Sequence, residues 1–154
     1  MAYQVHIEHV EAQLTGVVRL RADPSAFAQV VPQTCGEVWT FFRSSGLPRP
    51  GRHLALYLDC KGNIEVGAEV GQPFTGNGRV VCSSTPAGRV ATTAHLGSYS
   101  RLGAAHDAVL KWCADHGHAL AGVSWEVYGH WTDDPSQLRT DVFYLLRPGG
   151  ESAG

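Results

Sequence analysis

Two spacings of apolar residues divide this chain into predicted strands and helices. Short runs in which every second residue is apolar predict half-buried β-strands. Two longer segments have apolar residues three or four positions apart, which places them on one face of a helix. The predicted helices cover about 32–45 and 100–116, and the predicted strands lie in segments 3–10, 16–22, 53–59, 63–70, 79–84, 88–99, 123–131 and 140–146.

Both helices have recognisable end signals. Pro32 suits the first turn of the first helix because its missing N–H is not needed there, and Gly46 is a stop signal. Ser98 or Ser100 can cap the second helix, and Gly117 can end it. The predicted apolar faces consist of Cys35, Val38, Trp39 and Phe42 in the first helix, and Leu102, Ala105, Val109 and Trp112 in the second.

The order strand, helix, strand, strand occurs twice, which indicates an internal duplication. The spacing from Gly46 to Tyr57 equals that from Gly117 to Tyr128, and the same offset places Val38 on Val109. We therefore predict an α+β fold in which two β-α-β-β copies are related by a pseudo-twofold axis. They would form one antiparallel sheet with two helices on one face and a concave ligand cleft on the other. Tyr57 and Tyr128 would be related across the seam.

The predicted domain organisation follows from this duplication. Residues 1–148 would form a single domain made of two repeats, at about 1–72 and 78–148, separated by the Gly- and Pro-marked segment 72–78. Residues 149–154 would be a flexible tail.

Composition narrows the classes of function. The chain has 154 residues, only 17% of them charged, and a net charge of −2, so we expect no direct binding to nucleic acid. The amino-terminal residues lack the apolar core of a signal peptide, and no apolar run is long enough to span a membrane, so a cytoplasmic location is expected. The four cysteines form no CxxC pair and the histidines lack metal-ligand spacing, so reduced thiols and no metal are predicted.

The segment WEVYGHW, residues 125–131, places a carboxylate within a strand of aromatic and apolar residues. Strand alternation turns Glu126, Tyr128 and His130 to one side and Trp125 to the other. Glu126 would then lie either on a solvated outer face or at the floor of an aromatic pocket, and the spacing leaves both open. In a pocket, burial would penalise its charge and a bound cation would offset that penalty.

Several segments together resemble the gyrase-inhibitor-like (GyrI-like) small-molecule-binding domain, which is also the effector domain of AraC-type and BmrR-type regulators. They are HLGSY at 95–99 with the following helix, SWEVY at 124–128, and TDVFYLLRP at 140–148. The resemblance is strongest from about 88 to 148. Because the sequence shows no helix-turn-helix segment before the first strand, the chain resembles the free-standing members of the family.

The resemblance implies a cleft that binds bulky, flat and often cationic compounds, with the buried acid of the family falling on Glu126. No cofactor is expected, because no histidine is placed in a way that argues for haem. The residues expected to line the ligand site are Glu126, Tyr128, Tyr99, Tyr57, Trp39, Phe42, Trp131 and His95.

Two further functions are open from the resemblance. One subgroup of the family hydrolyses the strained cyclopropane of DNA-alkylating antibiotics; Glu126 would then be the catalytic acid or base and Tyr128 would orient the substrate. Other free-standing members are associated with DNA gyrase. The sequence neither indicates nor excludes an interaction with gyrase or with a regulator.

Overall fold

The structure, a computed structural model, describes residues 3–129 and 133–148. These residues form eight strands and two α-helices. Contacts divide the chain into two compact units, which we call the middle unit (Ala12–Pro86) and the split unit (up to Glu11 and from Ala87 onward). The elements are β1 (His6–Val10), β2 (Leu14–Arg21), α1 (Phe27–Ser44), β3 (His53–Tyr57), β4 (Asn63–Glu69), β5 (Val80–Ser84), β6 (Gly88–Leu96), α2 (Leu102–His116), β7 (Leu120–Tyr128) and β8 (Arg139–Leu146).

The middle unit is a four-stranded antiparallel sheet, in the order β3-β4-β2-β5, with α1 packed on one face. Val18 and Val80 from the sheet contact Val38 and Phe42 from the helix. Val38 and Val80 are fully buried, and each such valine contributes about 1.5–3 kcal/mol through the apolar surface it removes from water. This packing holds α1 against the sheet.

The split unit repeats this arrangement in the order β1-β6-β8-β7, again antiparallel, with α2 packed on one face. Its core joins Ala91 and Val142 of the sheet to Ala105 and Val109 of the helix. The register aligns Glu126 of β7 with Val142 of β8. Because Val142 packs against α2, Glu126 also faces that helix.

Each unit contains one β-α-β-β sequence and one additional strand. The two sequences are β2-α1-β3-β4 and β6-α2-β7-β8, so the predicted α+β fold class with a repeated β-α-β-β order is confirmed. The additional strands are β5, which pairs with β2, and β1, which pairs with β6. The repeat boundaries near 72 and 78 stay a prediction, and residues 149–154 lie outside the described residues.

The first helix starts earlier than the sequence analysis predicted. α1 begins at Phe27, so Pro32 lies inside it and not in its first turn. A 3-10 turn at Pro24–Ala26, capped by the Asp23 carboxylate at 2.9 Å from the Ser25 amide, already directs the chain into a helical path. Pro32 then removes one hydrogen bond near the start of the helix, which the buried face of α1 tolerates.

The carboxyl end of α2 agrees with prediction, because Gly117 ends the helix with a φ of 73°. The helix itself begins at Leu102 with no side-chain cap, and Ser98 instead caps the 3-10 turn Tyr99–Arg101 by accepting a hydrogen bond from the Ser100 amide. Trp112 is half-buried and packs against the core of the split unit, as predicted for the apolar face, and it also stacks on His116 and His118. The fully buried stripe includes Cys113 as well.

A glycine pair tests the packing of the middle unit. A Cβ on Gly67 would lie 1.9 Å from the backbone oxygen of Gly16 on the neighbouring strand, whereas one on Gly36 in α1 would meet nothing within 4 Å. We expect Gly67→Ala to lower the free energy of unfolding by about 2 kcal/mol or more. Gly36→Ala should raise it by up to about 1 kcal/mol, because alanine favours helix. Urea denaturation measures both, and equal effects would contradict this packing.

Candidate functional site

Strand β7 carries a buried carboxylate. Glu126 is 5% exposed, which excludes the solvated outer face that its sequence context left open. Ser124 and Tyr128 share its side of the strand, and Trp125 points to the other side, where it stacks on Phe143 with ring centroids 5.2 Å apart. The prediction that Trp125 alternates away from Glu126 holds.

Both carboxylate oxygens of Glu126 are hydrogen-bonded. The Tyr128 hydroxyl donates to Oε1 at 2.6 Å, and Nε2 of His106 lies 2.5 Å from Oε2. His106 belongs to α2, so the carboxylate faces the helix of its own unit. The predicted cleft lies on the face away from the helices. In the split unit, that face carries Trp125, and the Glu126 carboxylate lies on the side of α2 instead.

The hydrogen-bonded chain continues beyond His106. Its Nδ1 lies 2.7 Å from the Tyr144 hydroxyl on β8. Burial raises the pKa of Tyr144 to about 12, with further increases from the negative charges of Glu126 and Asp107 and an opposing hydrogen bond from Ser124. Tyr144 therefore keeps its proton at neutral pH.

The hydrogen positions follow from these donors and acceptors. When Tyr144 donates to Nδ1 of His106, the ring carries its proton on Nε2 and donates it to Glu126. Every atom of the chain Tyr144–His106–Glu126–Tyr128 is then satisfied while the imidazole is neutral. In this state, the network retains the single negative charge of Glu126.

Tyr99 extends the site toward the surface. Its ring lies edge-on to Tyr128 with centroids 5.6 Å apart, and the residue is 39% exposed. The structure thus brings together three of the predicted site residues, Glu126, Tyr128 and Tyr99. A buried carboxylate beside two tyrosine rings can pair with a cation or exchange a proton.

His95 is held by other groups. It is 3% exposed, its Nδ1 lies 2.9 Å from the Tyr3 hydroxyl, and its Nε2 lies 2.9 Å from the Ser98 carbonyl. With both ring nitrogens engaged, His95 anchors the turn that leads into α2. It borders a hollow of about 830 Å³ whose lining also includes Tyr3, Leu96 and Arg101.

The predicted site residues of the first repeat lie in the middle unit. Tyr57 packs against the Phe27 ring at 5.5 Å, and Phe42 packs against Phe74 in the core. The Arg49 guanidinium lies 5.2 Å from the centre of the Trp39 ring. A hollow of about 360 Å³ in this unit is lined by Trp39, Phe42, Arg43, Leu47, Arg49 and Pro50.

A contribution of Tyr57, Trp39 and Phe42 to the Glu126 site stays a prediction. Trp131, a further predicted site residue, and His130, which strand alternation placed on the side of Glu126, lie outside the described residues.

His106 and Tyr144 were missed by sequence reasoning. His106 lies four residues after Leu102 and three before Val109, so helical spacing does place it beside the buried stripe. The offset that aligns Val38 with Val109 pairs His106 with Cys35 and Glu126 with Ala55. A comparison of the two copies would therefore have singled out His106 and Glu126, because the first copy has uncharged residues at both positions.

Within residues 3–129 and 133–148, no cluster of three or more His, Cys, Asp or Glu side chains could hold a metal ion. No helix in these ranges is long and apolar enough to cross a membrane. All four cysteines are free thiols, and burial raises the pKa of Cys35 to about 12.

A comparison with protein-family models identifies the family of this chain. The model of the GyrI-like small molecule binding domain matches residues 3–147. No curated protein matches the chain significantly.

Solved structures share the fold at low sequence identity. The EcmrR C-terminal domain is 19% identical with a TM-score of 0.78, over 96% of this chain and 99% of that domain. SAV2435 bound to tetraphenylphosphonium is 8% identical with a TM-score of 0.66, over 96% of this chain and 95% of its own. A hydrolase from Listeria innocua is 10% identical with a TM-score of 0.60, over 95% of this chain and 93% of its own.

The raised pKa of Tyr144 predicts a loss of stability at alkaline pH. A pKa that folding raises from 10.0 to about 12 favours the neutral form in the folded state. Its stabilising contribution is complete below the unfolded pKa and is lost as pH rises through the folded one. Over that interval, urea denaturation should show a steeper fall for the wild type than for Tyr144→Phe. Equal slopes in the two proteins would contradict the prediction.

Proposed function

Because the chain belongs to the family of GyrI-like small molecule binding domains, we propose that it binds bulky hydrophobic compounds, preferably aromatic cations, at Glu126. The observation that carries this proposal is a carboxylate that is 5% exposed and held by Tyr128 and His106. With a neutral His106 ring, these hydrogen bonds stabilise the carboxylate as an anion, which would attract a cationic ligand.

The physical chemistry favours a delocalised cation over an ammonium. Entering a buried site requires the loss of hydration, which is small for a lipophilic cation and large for a compact charge. Tyr128 and Tyr99 offer ring faces and edges beside the carboxylate. Each cation–π contact contributes about 0.5–2 kcal/mol, depending on desolvation, and sets few limits on ligand shape.

The neighbour with a bound ligand supports the choice of compound class. SAV2435 is described with tetraphenylphosphonium, a lipophilic aromatic cation, and its fold is similar to that of this chain. Tetraphenylphosphonium is therefore a suitable first probe, and the neutral triphenylphosphine oxide has comparable aromatic groups without the charge.

Glu126→Gln tests the counter-ion role. The amide keeps the size of the side chain and removes its charge, so affinity for tetraphenylphosphonium should fall by about tenfold or more, which corresponds to about 1.4 kcal/mol. Affinity for triphenylphosphine oxide should change by much less. Isothermal titration calorimetry measures both, and equal losses for the two ligands would remove the counter-ion role.

Glu65→Gln is the matched control for that substitution. Glu65 is also a buried glutamate, 6% exposed, but Arg19 and Ser83 of the middle unit donate to its oxygens. Its charge is already paired, so the control should bind tetraphenylphosphonium as the wild type does. Thermal denaturation of both variants separates a change in affinity from a loss of folded protein.

A hydrolase is the alternative, and the chain Glu126–His106–Tyr144 is the observation that favours it. A carboxylate beside an imidazole can take a proton from water and pass it on, and Tyr128 is placed to orient a substrate. A hydrolase from Listeria innocua shares the fold. In this reaction, water would add across the strained carbon–carbon bond of a cyclopropane, which breaks as the hydroxyl and a proton are added.

Mass spectrometry decides between binding and turnover. If the protein is a hydrolase, incubation with a cyclopropane-containing DNA alkylator should give a product heavier by one water, at a rate abolished in Glu126→Gln and retained in Glu65→Gln. If the alkylator is still unchanged after prolonged incubation with the protein, or if the wild type, Glu126→Gln and Glu65→Gln give equal rates, binding is left as the function.

A further inference from the structure

We propose that His106 makes ligand binding at Glu126 depend on pH, because its neutral ring leaves the carboxylate charge for a cationic ligand and its protonated ring cancels that charge. The inference rests on the proposed function and adds a specificity-determining residue to it. The geometry that carries it is the contact of 2.5 Å between Nε2 of His106 and Oε2 of Glu126.

His106 contacts the same carboxylate that a cationic ligand would approach. The side chains of His106 and Glu126 are 18% and 7% exposed, so the pair lies largely away from water. The Tyr128 hydroxyl takes the other oxygen, Oε1, through its own hydrogen bond. A ligand cation therefore meets a carboxylate already bonded to an N–H group, and the charge of that group decides how much attraction remains.

The network can accommodate both charge states of the ring. With a neutral ring, Tyr144 donates its hydrogen to Nδ1. With a protonated ring, Nδ1 becomes a donor and the Tyr144 oxygen accepts, since a phenol can do either. Ser124, which lies opposite Tyr144 in the β7–β8 register and shares a hydrogen bond with it, can then receive the tyrosine hydrogen. Protonation thus requires a hydroxyl rotation and no rearrangement of the backbone.

Glu126 carries the charge that the structure places in contact with the ring, and Tyr144 from β8 lies at the other ring nitrogen. Tyr128 from β7 bonds the same carboxylate. Burial raises the pKa of the Cys113 thiol on α2, so this group is neutral, and Asp107 lies on the exposed side of that helix.

His95 of β6 and His6 of β1 have other partners. His95 is hydrogen-bonded to Tyr3. On β1, the register turns His6 and Glu8 to the other face of the sheet, where they bond each other at 2.6 Å.

The charge balance gives the direction of the effect. A neutral ring leaves one negative charge, which attracts a cation, while a protonated ring gives a neutral ion pair that a cation must disrupt. The cation at Glu126 and the proton on His106 therefore oppose each other. By linkage, the bound proton lowers the affinity for the cation by the same factor by which the bound cation lowers the affinity for the proton. Neutral ligands gain nothing from the carboxylate charge and should be almost indifferent to this proton.

The test measures the dissociation constant of tetraphenylphosphonium from about pH 5.5 to about pH 8.5, the range in which histidines titrate. Wild-type affinity should rise with pH, by up to about tenfold per pH unit on the acid side of the transition, and then level off. His106→Gln replaces the ring by a donor that stays neutral, so its affinity should stay nearly constant over this range. His116→Gln, at an exposed histidine of the same helix, should follow the wild-type curve.

The outcomes separate this inference from the proposed function. Equal pH profiles for the wild type and His106→Gln would overturn the inference, as would an equal pH response for triphenylphosphine oxide. Failure of the proposed function would appear as no binding of tetraphenylphosphonium at any pH in this range, or as no loss of affinity in Glu126→Gln.

A measurement on the wild type keeps the inference testable if His106→Gln does not fold. Calorimetric titrations in phosphate and Tris buffers, at the pH where affinity changes most steeply, report the protons released on binding. Tetraphenylphosphonium should release about half a proton per ligand there, and triphenylphosphine oxide should release almost none. A flat affinity profile, or the absence of proton release, would overturn the inference.

Discussion

The contact between the Glu126 carboxylate and the His106 ring is the polar constraint that ties strand β7 of the split unit to its helix. A carboxylate withdrawn from water without donors costs several kcal/mol, so this strand can bury Glu126 only where donors meet it. One donor, Tyr128, comes from the same strand, and the other comes from α2. The position of the helix and the charge state of the site are therefore linked, because any movement of α2 alters the hydrogen bonding of Glu126.

The two copies of the β-α-β-β sequence use the same internal position differently. In the split unit, helix and strand meet through His106 and Glu126, whereas the corresponding residues in the middle unit are Cys35 and Ala55. Cys35 is buried, and its raised pKa keeps the thiol neutral. One copy thus packs as an apolar layer, while the other carries a charge within the same framework. A duplicated fold can in this way keep stability in one half and place chemistry in the other.

Sequence reasoning was most successful where a local pattern carries the information. The strands and helices, the Gly117 stop and the repeated order follow from residue spacing, because secondary structure periods of 2 and 3.6 residues act over short distances. An error arose where packing decides, as at the early start of α1. At the site, alternation placed Glu126 beside Tyr128, and the family resemblance favoured its burial. His106 and Tyr144 were missed because they lie 20 and 18 residues from Glu126.

The sequence by itself determined the fold class, the repeated element order and the presence of a carboxylate within an apolar strand. It could not show which groups would meet that carboxylate, because donors from a helix and a neighbouring strand are brought together only by sheet register and helix packing. The tertiary structure decided that Glu126 faces α2, that His106 and Tyr128 hold it, and that Tyr144 completes the chain. The physical reason is that a hydrogen bond needs its donor and acceptor atoms about 3 Å apart. Folding sets that distance, and the number of residues between two side chains does not.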